Sequence, residues 1–546
     1  MDSALVIDIE TNGLNPDKIW CLVAQDVETG EVFVMRTQLY LDKLIGKYDR
    51  IIGHNIISFD APQIEKIWGI KIPHEKLMDT LILSQISRPD RAGGHSLGSW
   101  GARLKFPKGD FNDWSGYSAE MLTYCKQDVA LTAKLYNHLR HELKGFSMEC
   151  ITLEHDVKRI TCKQERDGFF IDQKYAMTLV GKLERRLNEI REQLRVVFPP
   201  IRIETQLITK LKVTMQEFNV GSRKQIAERL MERGWEPEKK TDKGSVIVDE
   251  AVLNTIDMPE AKVIAEYLML QKRIAQVSSW LDALDSSPDN RVHGSVLTLR
   301  TITGRMAHAK PNMAQVPSGS SPYGKECRTC WTVPKGRVLV GIDASGIELR
   351  MLAHYMRSPA YVEELIHGDI HTVHQKLAGL KTRDQAKTFI YAFLYGAGHK
   401  KIGAIVGGGP TLGKRLQEQF LGRLTELAIL KNRVTNTIGK RGGWLPGLDG
   451  RKIKVRSPHS ALNSLLQGAA AVVMKKALVL FANSLDKDVK IVANVHDEWQ
   501  VECDASQGKL VGKLGVDAII EAGHKYNLRC PLDGEYKVGI NWSETH

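Results

Sequence analysis

The chain has 546 residues, of which 42% are hydrophobic and 26% charged, as in an ordinary globular protein. One hydrophobic core cannot serve this length, so three or four domains are expected. No uninterrupted run of about 18 apolar residues and no signal peptide stand out, which argues against a membrane protein or an exported one. We therefore expect a cytoplasmic location and reduced thiols at the eight cysteines.

The net charge of +12 is unevenly distributed along the chain. Residues 376–456 contain 17 Lys and Arg against 4 Asp and Glu, which leaves 59 basic and 60 acidic residues elsewhere. Such a basic segment attracts a polyanion and makes the association sensitive to salt. It could equally be a merely basic surface.

Near the N-terminus, an apolar strand, LVIDIE, carries Asp8 and Glu10 on one face. Asp60 ends the segment IIGHNIISFD, and Tyr124 and Asp128 lie four residues apart on a predicted helix. Four carboxylates of this kind can converge on two divalent cations, which support phosphodiester hydrolysis. The phenol of Tyr124 could then orient the attacking water. Ordinary caps and surface charges are the alternative.

The middle of the chain, residues 146–290, has dense helical patterns that are interrupted by Pro199 and Pro200. A second helical pair is predicted over residues 222–285. Its tip carries three lysines that could grip a duplex backbone through phosphates, Lys239, Lys240 and Lys243. A helical spacer with a solvated tip explains the same residues.

A helix is predicted over residues 381–396, KTRDQAKTFIYAFLYG. Its four-residue spacing places two cations and two phenols on one ridge, namely Arg383, Lys387, Tyr391 and Tyr395. The opposite face is apolar, with Ala386, Phe389, Ile390 and Phe393. The ridge suits a ligand with several phosphates and a flat ring. An amphipathic surface helix with solvated cations is the alternative.

Two further acids are predicted to meet across a strand pair. The apolar strand VLVGI runs directly into Asp343. Later in the chain, the pattern predicts a strand, IVANV, then a tight turn with Asp497 and Glu498, then a second strand, WQVEC. Because like charges repel, this meeting indicates cations between Asp343 and Asp497.

Three other patterns are weaker. Gly408, Gly413 and Lys414 imitate a phosphate-binding loop, but Arg415 replaces the required Ser or Thr. The pair Cys327–Cys330 lacks a partner pair at zinc spacing. We favour a structural role for both features. For Asp79 we expect either a structural role or a supporting one beside the metal ligands. The spacing of His367, His371 and His374 only superficially resembles a metal site, because carboxylates supply the expected metal ligands.

These motifs carry resemblances to known families. DIE, HNxxxFD and YxxxD resemble the three motifs of DEDD-type 3′–5′ exonucleases over residues 3–140. DASGIELR, RDQAKTFIYAFLYG and VHDE resemble motifs A, B and C of family A DNA polymerases, and GDIHT, KTFIY, GLDGRK and VRSPH are most similar to the replicative polymerases of T7-like bacteriophages. The resemblance runs nearly from end to end, and we expect no 5′-nuclease domain before the exonuclease.

The resemblance implies an α/β (α+β) multidomain fold, with an RNase H-like exonuclease domain at residues 1–145 and a right-hand polymerase domain at residues 146–546. The thumb would occupy about residues 146–290 and the fingers about 371–456. The palm would occupy about residues 291–370 and 457–546.

The resemblance also implies roles for matching residues. Asp343 and Asp497, with Ala344, would hold two Mg²⁺ ions, and Glu498 would be an auxiliary acid. Two more Mg²⁺ would bind at the exonuclease site, and Mn²⁺ could substitute. Phosphate contacts are assigned to His371, Arg383 and Lys387, sugar contacts to Tyr391 and Glu348, and the templating base to Tyr395. A tyrosine at position 391 suggests acceptance of dideoxynucleotides. Primer–template contacts are assigned to Arg305, Asn463, Gln467 and His496.

The implied partners are primer–template DNA, deoxynucleoside triphosphates, a helicase-primase and a single-stranded-DNA-binding protein. Only about twenty residues, 200–219, stand where the phage enzyme has its thumb insertion for thioredoxin, so thioredoxin is not expected as a partner. We expect a monomer.

The sequence thus predicts a DNA polymerase with a proofreading exonuclease that replicates a phage genome. A 3′–5′ exonuclease whose C-terminal half only binds DNA is the main alternative. A non-catalytic DNA-binding protein is the third possibility, and it would have no use for either acidic cluster.

Overall fold

The computed structural model describes residues 3–206, 211–241, 243–285 and 287–546. The N-terminal part is a five-stranded sheet covered by helices, with strand order β3-β2-β1-β4-β5. Its elements are β1 (Ala4–Thr11), β2 (Ile19–Asp26), β3 (Val32–Met35), α1 (Leu41–Gly46), β4 (Arg50–Gly53), α2 (Asp60–Trp68), β5 (Leu77–Asp79), α3 (Thr80–Ser87), α4 (Leu97–Arg103) and α5 (Ala119–Glu142). Strand β1 pairs antiparallel with β2 and parallel with β4, so it lies at the centre of the sheet. The predicted strand at LVIDIE and the helix with Tyr124 and Asp128 are confirmed.

The middle of the chain is mainly helical, as predicted. Its elements are α6 (Met148–Asp167), β6 (Phe169–Phe170), α7 (Gln173–Val197), β7 (Ile201–Gln206), β8 (Leu211–Gln216), α8 (Arg223–Met231), α9 (Glu250–Leu253) and α10 (Pro259–Asp285). The long helix α10 packs along α7, whereas α8 has only nine residues. The prediction of a simple helical pair over residues 222–285 is therefore wrong, because α10 packs on α7, which precedes these residues.

Strands β7 and β8 pair as an antiparallel ribbon in the short segment 200–219. The predicted basic tip lies between α8 and α9, where Lys240 bridges to Val246. Lys239, Lys240 and Lys243 are all exposed.

The C-terminal part combines a four-stranded antiparallel sheet with a layer of helices. Its elements are β9 (Arg291–Val292), β10 (Ser295–Leu297), β11 (Ala307–Ala309), α11 (Gly324–Thr329), β12 (Arg337–Ala344), α12 (Ile347–Met356), α13 (Pro359–His367), α14 (Ile370–Ala378), α15 (Arg383–Leu394), α16 (His399–Ala404), α17 (Pro410–Arg423), α18 (Thr425–Lys440), β13 (Trp444–Pro446), β14 (Lys452–Lys454), α19 (Ala461–Ser484), β15 (Lys490–Val495), β16 (Glu498–Asp504), α20 (Gly508–Lys525) and β17 (Gly534–Gly539). The strand order is β15-β16-β12-β17.

The predicted strand, turn and strand are confirmed as β15 and β16, joined by a two-residue turn. His496 opens this turn with φ of +59°, a conformation that two-residue hairpin turns require. The adjacent Asp497 thereby lies at one end of the sheet.

Helix α15 confirms the helix predicted around residues 381–396. The hydroxyl of Thr382 accepts a hydrogen bond from the amide of Gln385 and caps the N-terminus. The predicted apolar face is buried in the C-terminal core, at Ala386, Phe389, Ile390 and Phe393.

Within the described residues, one helix is long and apolar enough to cross a membrane by composition, at residues 458–484, with a mean hydropathy of 1.7. The most apolar stretch of this helix is 78% buried inside the protein, where α19 packs on α6, α12 and α20. Apolarity on all sides is expected of a helix enclosed by protein. We assign α19 to the core.

The glycine-rich segment that imitates a phosphate loop joins two packed helices, α16 and α17. Gly403 and Gly413 allow this packing, because a Cβ atom at either position would overlap the neighbouring backbone. No strand directly precedes this segment in the described structure, since α15 and α16 lie before it. The close packing of these helices fits the structural role predicted for these glycines.

Candidate active sites

The sheet brings the two predicted C-terminal acids together. Asp343 is the register partner of Glu498, and the amide of Ala344 donates a hydrogen bond to the carbonyl oxygen of Asp497 at 3.1 Å. Burial, and then the charges of Asp497 and Glu498, raise the pKa of Asp343 to about 7. Burial, followed by the charge of Glu348, raises the pKa of Asp497 to about 6. Acids that repel in this way form a cluster that a divalent cation would stabilise.

Glu498 is held by its own set of donors. The ring nitrogens of Trp542 and His546 lie 2.5 and 2.8 Å from its carboxylate, and the amide of Gln500 lies at 2.6 Å. Burial raises the pKa of Glu498, but the hydrogen bond and charge of His546 outweigh that effect and lower it below its ordinary value. Because these donors occupy its oxygens, Glu498 is less free than Asp343 to hold a cation.

The ridge of α15 leads from an exposed cationic end to this acidic cluster. Arg383 is exposed and its Nε lies 2.8 Å from Asp369. The rings of Tyr391 and Tyr395 stack at 6.4 Å between centroids, and the ring of His371 lies 6.3 Å from that of Tyr391. Lys387 is exposed on the same ridge. The geometry offers cations at one end and flat rings at the other.

Glu348 connects the phenol end of the ridge to Arg305. Its carboxylate accepts hydrogen bonds from the hydroxyl of Tyr395 at 3.0 Å and from Arg305 at 2.6 Å. Arg305 and His496 also line a small pocket with Asp497. Asn463 and Gln467 lie one turn apart on α19, half-buried, and they do not line that pocket.

The N-terminal acids also come together. Asp8 and Glu10 lie on β1, Asp60 begins α2, and Asp128 lies on α5. The amide of Ile9 donates to Asp60 at 3.2 Å, which ties α2 to the centre of the sheet. The four acidic side chains therefore converge on one end of β1.

These four carboxylates have raised pKa values. Burial raises the pKa of Glu10 to about 8 and that of Asp60 to about 7. For Asp8, burial acts first and the charges of the other three carboxylates add to it, while burial also raises the pKa of Asp128. One buried oxygen of Asp128, Oδ1, has no hydrogen-bond partner in the described structure. An unpaired buried oxygen among carboxyl groups with raised pKa values fits a site for divalent cations.

Two neighbours of this cluster were missed by sequence reasoning. The thiol of Cys125 lies 3.6 Å from a carboxylate oxygen of Asp8, and ligand atoms of Asp8, Glu10 and Cys125 lie within 4.8 Å of one another. Lys108 forms an ion pair with Asp128 at 2.7 Å.

The contacts of Asp79 fit a structural role, one of the two that the sequence suggested for it. Asp79 is fully buried and its carboxylate accepts hydrogen bonds from three backbone amides, those of Asn55, Ile57 and Leu81.

All eight cysteines are free and buried.

Comparison with known proteins identifies the family. The family model for DNA polymerase family A matches residues 200–544. The chain belongs to DNA polymerase family A. It is 33% identical to the DNA-directed DNA polymerases of Enterobacteria phage T3 and Escherichia phage T7, with 99% of this chain and 100% of each relative covered.

The fold of this polymerase also matches a solved structure of the same kind. The structure is the POL domain of Pol1 from M. smegmatis in complex with DNA primer-template and dNTP, with a TM-score of 0.84 and 18% identity. The match covers 100% of this chain and 96% of that one. The protein is a DNA-directed DNA polymerase, so the alternatives of a DNA-binding C-terminal half without synthetic activity and of a non-catalytic binder are wrong.

The contacts that the sequence could not reveal are long-range ones. Glu498 and the histidine that contacts it are 48 positions apart, and Lys108 lies in a segment without regular structure. A basic residue shortly before the YxxxD motif was the one available signal for Lys108.

Proposed function

We propose that this family A polymerase also has a 3′–5′ proofreading exonuclease, with its centre at Asp8, Glu10, Asp60 and Asp128. The observation that supports it is a second set of converging carboxylates, on a sheet separate from the one that bears Asp343 and Asp497. A polymerase needs one such cluster for synthesis. A second cluster on its own domain is best explained by a second reaction on phosphodiesters.

The proposed domains follow the three parts of the chain. Residues 1–145 form an RNase H-like exonuclease domain. The polymerase domain follows, with a thumb at about residues 146–290, a palm at about 291–370 and 457–546, and fingers at about 371–456. The helices α7 and α10 support the thumb assignment, and the sheet β15-β16-β12-β17 supports that of the palm.

At the polymerase centre, Asp343, Asp497 and the carbonyl oxygen of Ala344 would hold two divalent cations, Mg²⁺ or Mn²⁺, with Glu498 as an auxiliary acid. When bound at either centre, such cations lower the pKa of the attacking hydroxyl or water and neutralise charge on phosphate. Arg383, Lys387 and His371 bind the β- and γ-phosphates. Positioning and charge stabilisation by these side chains account for most of the catalysis.

Other residues select the substrate. Tyr391 and Glu348 enclose the sugar and exclude a 2′-hydroxyl, and Tyr395 lies at the templating base. The hydrogen bond between Tyr395 and Glu348 supports a shared wall for this pocket. Arg305, Asn463, Gln467 and His496 contact the primer–template.

At the exonuclease centre, the four carboxylates would hold two further cations and Tyr124 orients the attacking water. Tyr124 is one helical turn from Asp128, so its hydroxyl lies on the same side of α5 as the cluster. The products are a shortened strand and a nucleoside monophosphate.

The partners follow from this chemistry. The solved neighbour is described with DNA primer-template and dNTP, and we assign the same ligands to this chain. The basic segment 376–456 supports a polyanionic partner. The likeness to the T3 and T7 polymerases supports phage genome replication. We further propose that the protein acts as a monomer in the host cytoplasm, beside a helicase-primase and a single-stranded-DNA-binding protein. The short 200–219 segment argues against thioredoxin.

A labelled primer annealed to a longer template tests the proposal with Mg²⁺, with and without deoxynucleotides. The native protein should extend the primer with nucleotides and shorten it without them. Asp343→Ala should abolish extension and spare shortening, whereas the double variant Asp8→Ala, Glu10→Ala should do the reverse. Shortening that persists in the double variant, or that is lost with extension in folded Asp343→Ala, would refute the second centre.

A further inference from the structure

The segment that precedes α5 is fixed against the proposed exonuclease centre by contacts on both sides. The amide of Phe106 donates to the carbonyl oxygen of Gly101 at 2.9 Å, and the side-chain amide of Gln127 donates to the carbonyl oxygen of Pro107 at 2.5 Å. A Cβ atom at Gly101 would lie 2.8 Å from Phe106 O and 3.0 Å from the amide nitrogen of Lys108. The backbone of Lys108 is therefore set by helices α4 and α5.

The side chain of Lys108 reaches two residues of the centre. Its Nζ lies 2.7 Å from Oδ2 of Asp128 and 4.9 Å from the centroid of the Tyr124 ring. Phe111 and Trp114, from the same segment, pack on Tyr124 with centroids at 5.7 and 5.9 Å. This segment thus brings a cation and a small aromatic cluster to the side of α5 that bears Tyr124 and Asp128.

Lys108 is the one cation within ion-pair distance of the four carboxylates in the part of the chain that the structure describes. Its side chain is 32% exposed and that of Asp128 is 5% exposed, so the ammonium lies between the buried acids and solvent. A substrate strand must approach from the solvent side. Its phosphate would meet Lys108 before it meets the acids.

The chemistry of lysine allows two positions for this charge. The ammonium is a point charge on a flexible four-carbon stem, so it can move by several ångströms without a change in the backbone. A divalent cation that binds Asp128 competes with Lys108 for the same carboxylate. The displaced ammonium then remains within reach of the substrate phosphate, where negative charge increases in the transition state.

We propose, on the basis of the exonuclease function proposed above, that Lys108 is a catalytic residue of that exonuclease. It pairs with Asp128 while no divalent cation is bound, and it binds the phosphate of the 3′-terminal nucleotide when divalent cations occupy the carboxylates. Lys108 thereby lowers metal affinity and raises the rate of hydrolysis. A residue that only supports the fold would not act in these opposite directions.

The test compares Lys108→Met, Lys108→Arg and a matched control, Lys126→Met, which removes an exposed lysine from α5. Excision is measured on a 5′-labelled single strand with Mg²⁺, and extension of a primer–template checks that each variant is folded. Mn²⁺ affinity is measured by electron paramagnetic resonance in the Asp343→Ala background, which weakens binding at the polymerase centre.

We expect Lys108→Met to lower the kcat of excision at least tenfold, to bind Mn²⁺ more tightly and to leave extension unchanged. Lys108→Arg should retain most of the excision rate, and Lys126→Met should match the native protein. An unchanged kcat in Lys108→Met, or a loss of kcat together with weaker Mn²⁺ binding, would overturn the role of Lys108. If Asp8→Ala with Glu10→Ala does not abolish the native excision, the exonuclease centre itself is wrong, and Lys108 has no role to play.

Discussion

The amide nitrogen of Ala344 donates a hydrogen bond to the carbonyl oxygen of Asp497, 3.1 Å away across the C-terminal sheet β15-β16-β12-β17. This bond follows the ladder between β12 and β16 and closes it at the end that bears the acids. Because Ala344 directly follows Asp343, the bond fixes the distance between the two acids through the backbone. The proposed polymerase centre therefore depends on the register of β12.

The position of β12 also depends on Gly341. A Cβ atom there would overlap the carbonyl oxygen of Thr545 and approach Nε2 of Gln500 at 2.7 Å. We expect Gly341→Ala to displace the segment of Thr545 and His546, to lower the free energy of unfolding by about 1–3 kcal/mol, and to slow extension by up to about a hundredfold. Denaturation and primer extension measure the two effects.

The matched control is Gly439→Ala in α18, where a Cβ atom would meet nothing within 4 Å. Alanine is favoured over glycine inside a helix by about 0.5–1 kcal/mol, so this variant should be slightly more stable and fully active. Equal effects of the two substitutions would show that Gly341 has no special role.

The sequence was sufficient where the pattern is local. The four-residue spacing on α15 predicts both its buried face and its ridge, because one helix fixes the relative positions of its side chains. The turn between β15 and β16 is likewise local, and it places Asp497 without knowledge of the rest of the fold.

The sequence was insufficient where side chains from distant segments meet. Glu154 on α6 and Lys475 on α19 are 321 positions apart, and neither belongs to a recognisable motif. The pairing of α10 with α7 was missed for the same reason, since an apolar helix face does not specify its partner.

A buried ionic network joins the middle of the chain to the C-terminal part, and its loss should lower the free energy of unfolding. Nζ of Lys475 lies 2.7 Å from both oxygens of Glu154 and 2.8 Å from the carbonyl oxygen of Thr298, and Arg451 lies 2.7 Å from Glu154. Lys475→Met removes the donor to Oε2 of Glu154 and to the carbonyl oxygen of Thr298 and leaves Glu154 with Arg451 alone, so we expect a loss of about 3–5 kcal/mol in the free energy of unfolding. Denaturation followed by tryptophan fluorescence measures it.

The control for this network is the exposed pair Lys163–Asp167 at 2.6 Å on α6. Surface pairs contribute at most about 1 kcal/mol, so Lys163→Met should be almost neutral. A loss in Lys475→Met as small as that in Lys163→Met would contradict the importance of the buried network.

The ridge of α15 makes a prediction about nucleotide binding. Lys387 is exposed and lies one turn after Arg383, where it can bind a nucleotide phosphate. A charge-assisted hydrogen bond contributes about 1.5–3 kcal/mol, so Lys387→Met should raise KM for deoxynucleotides at least about tenfold. Lys381→Met, which removes an exposed lysine just before the helix, should leave KM unchanged. Equal KM values for both variants would show that Lys387 does not bind the nucleotide phosphate.

The pH dependence of stability should depend on His155, which is buried on α6. Its Nε2 accepts a hydrogen bond from the amide of Asp79 at 2.8 Å, and its Nδ1 lies 2.7 Å from the carbonyl oxygen of Ile151. Both contacts need the neutral ring, with the proton on Nδ1. Burial lowers the pKa of His155 to about 4, against an ordinary value of 6.5.

The sign of the effect follows from these values. Between pH 6.5 and pH 4 the unfolded chain binds a proton at His155 that the folded protein does not, so the free energy of unfolding decreases as the pH falls. The loss from this residue amounts to about 3 kcal/mol and is complete below pH 4. In His155→Gln, which cannot titrate, melting temperatures should therefore fall less steeply over this range than in the native protein. His141→Gln, a change at an exposed histidine on α5, serves as the control, and a native-like slope in His155→Gln would show that the buried ring does not set the pH dependence.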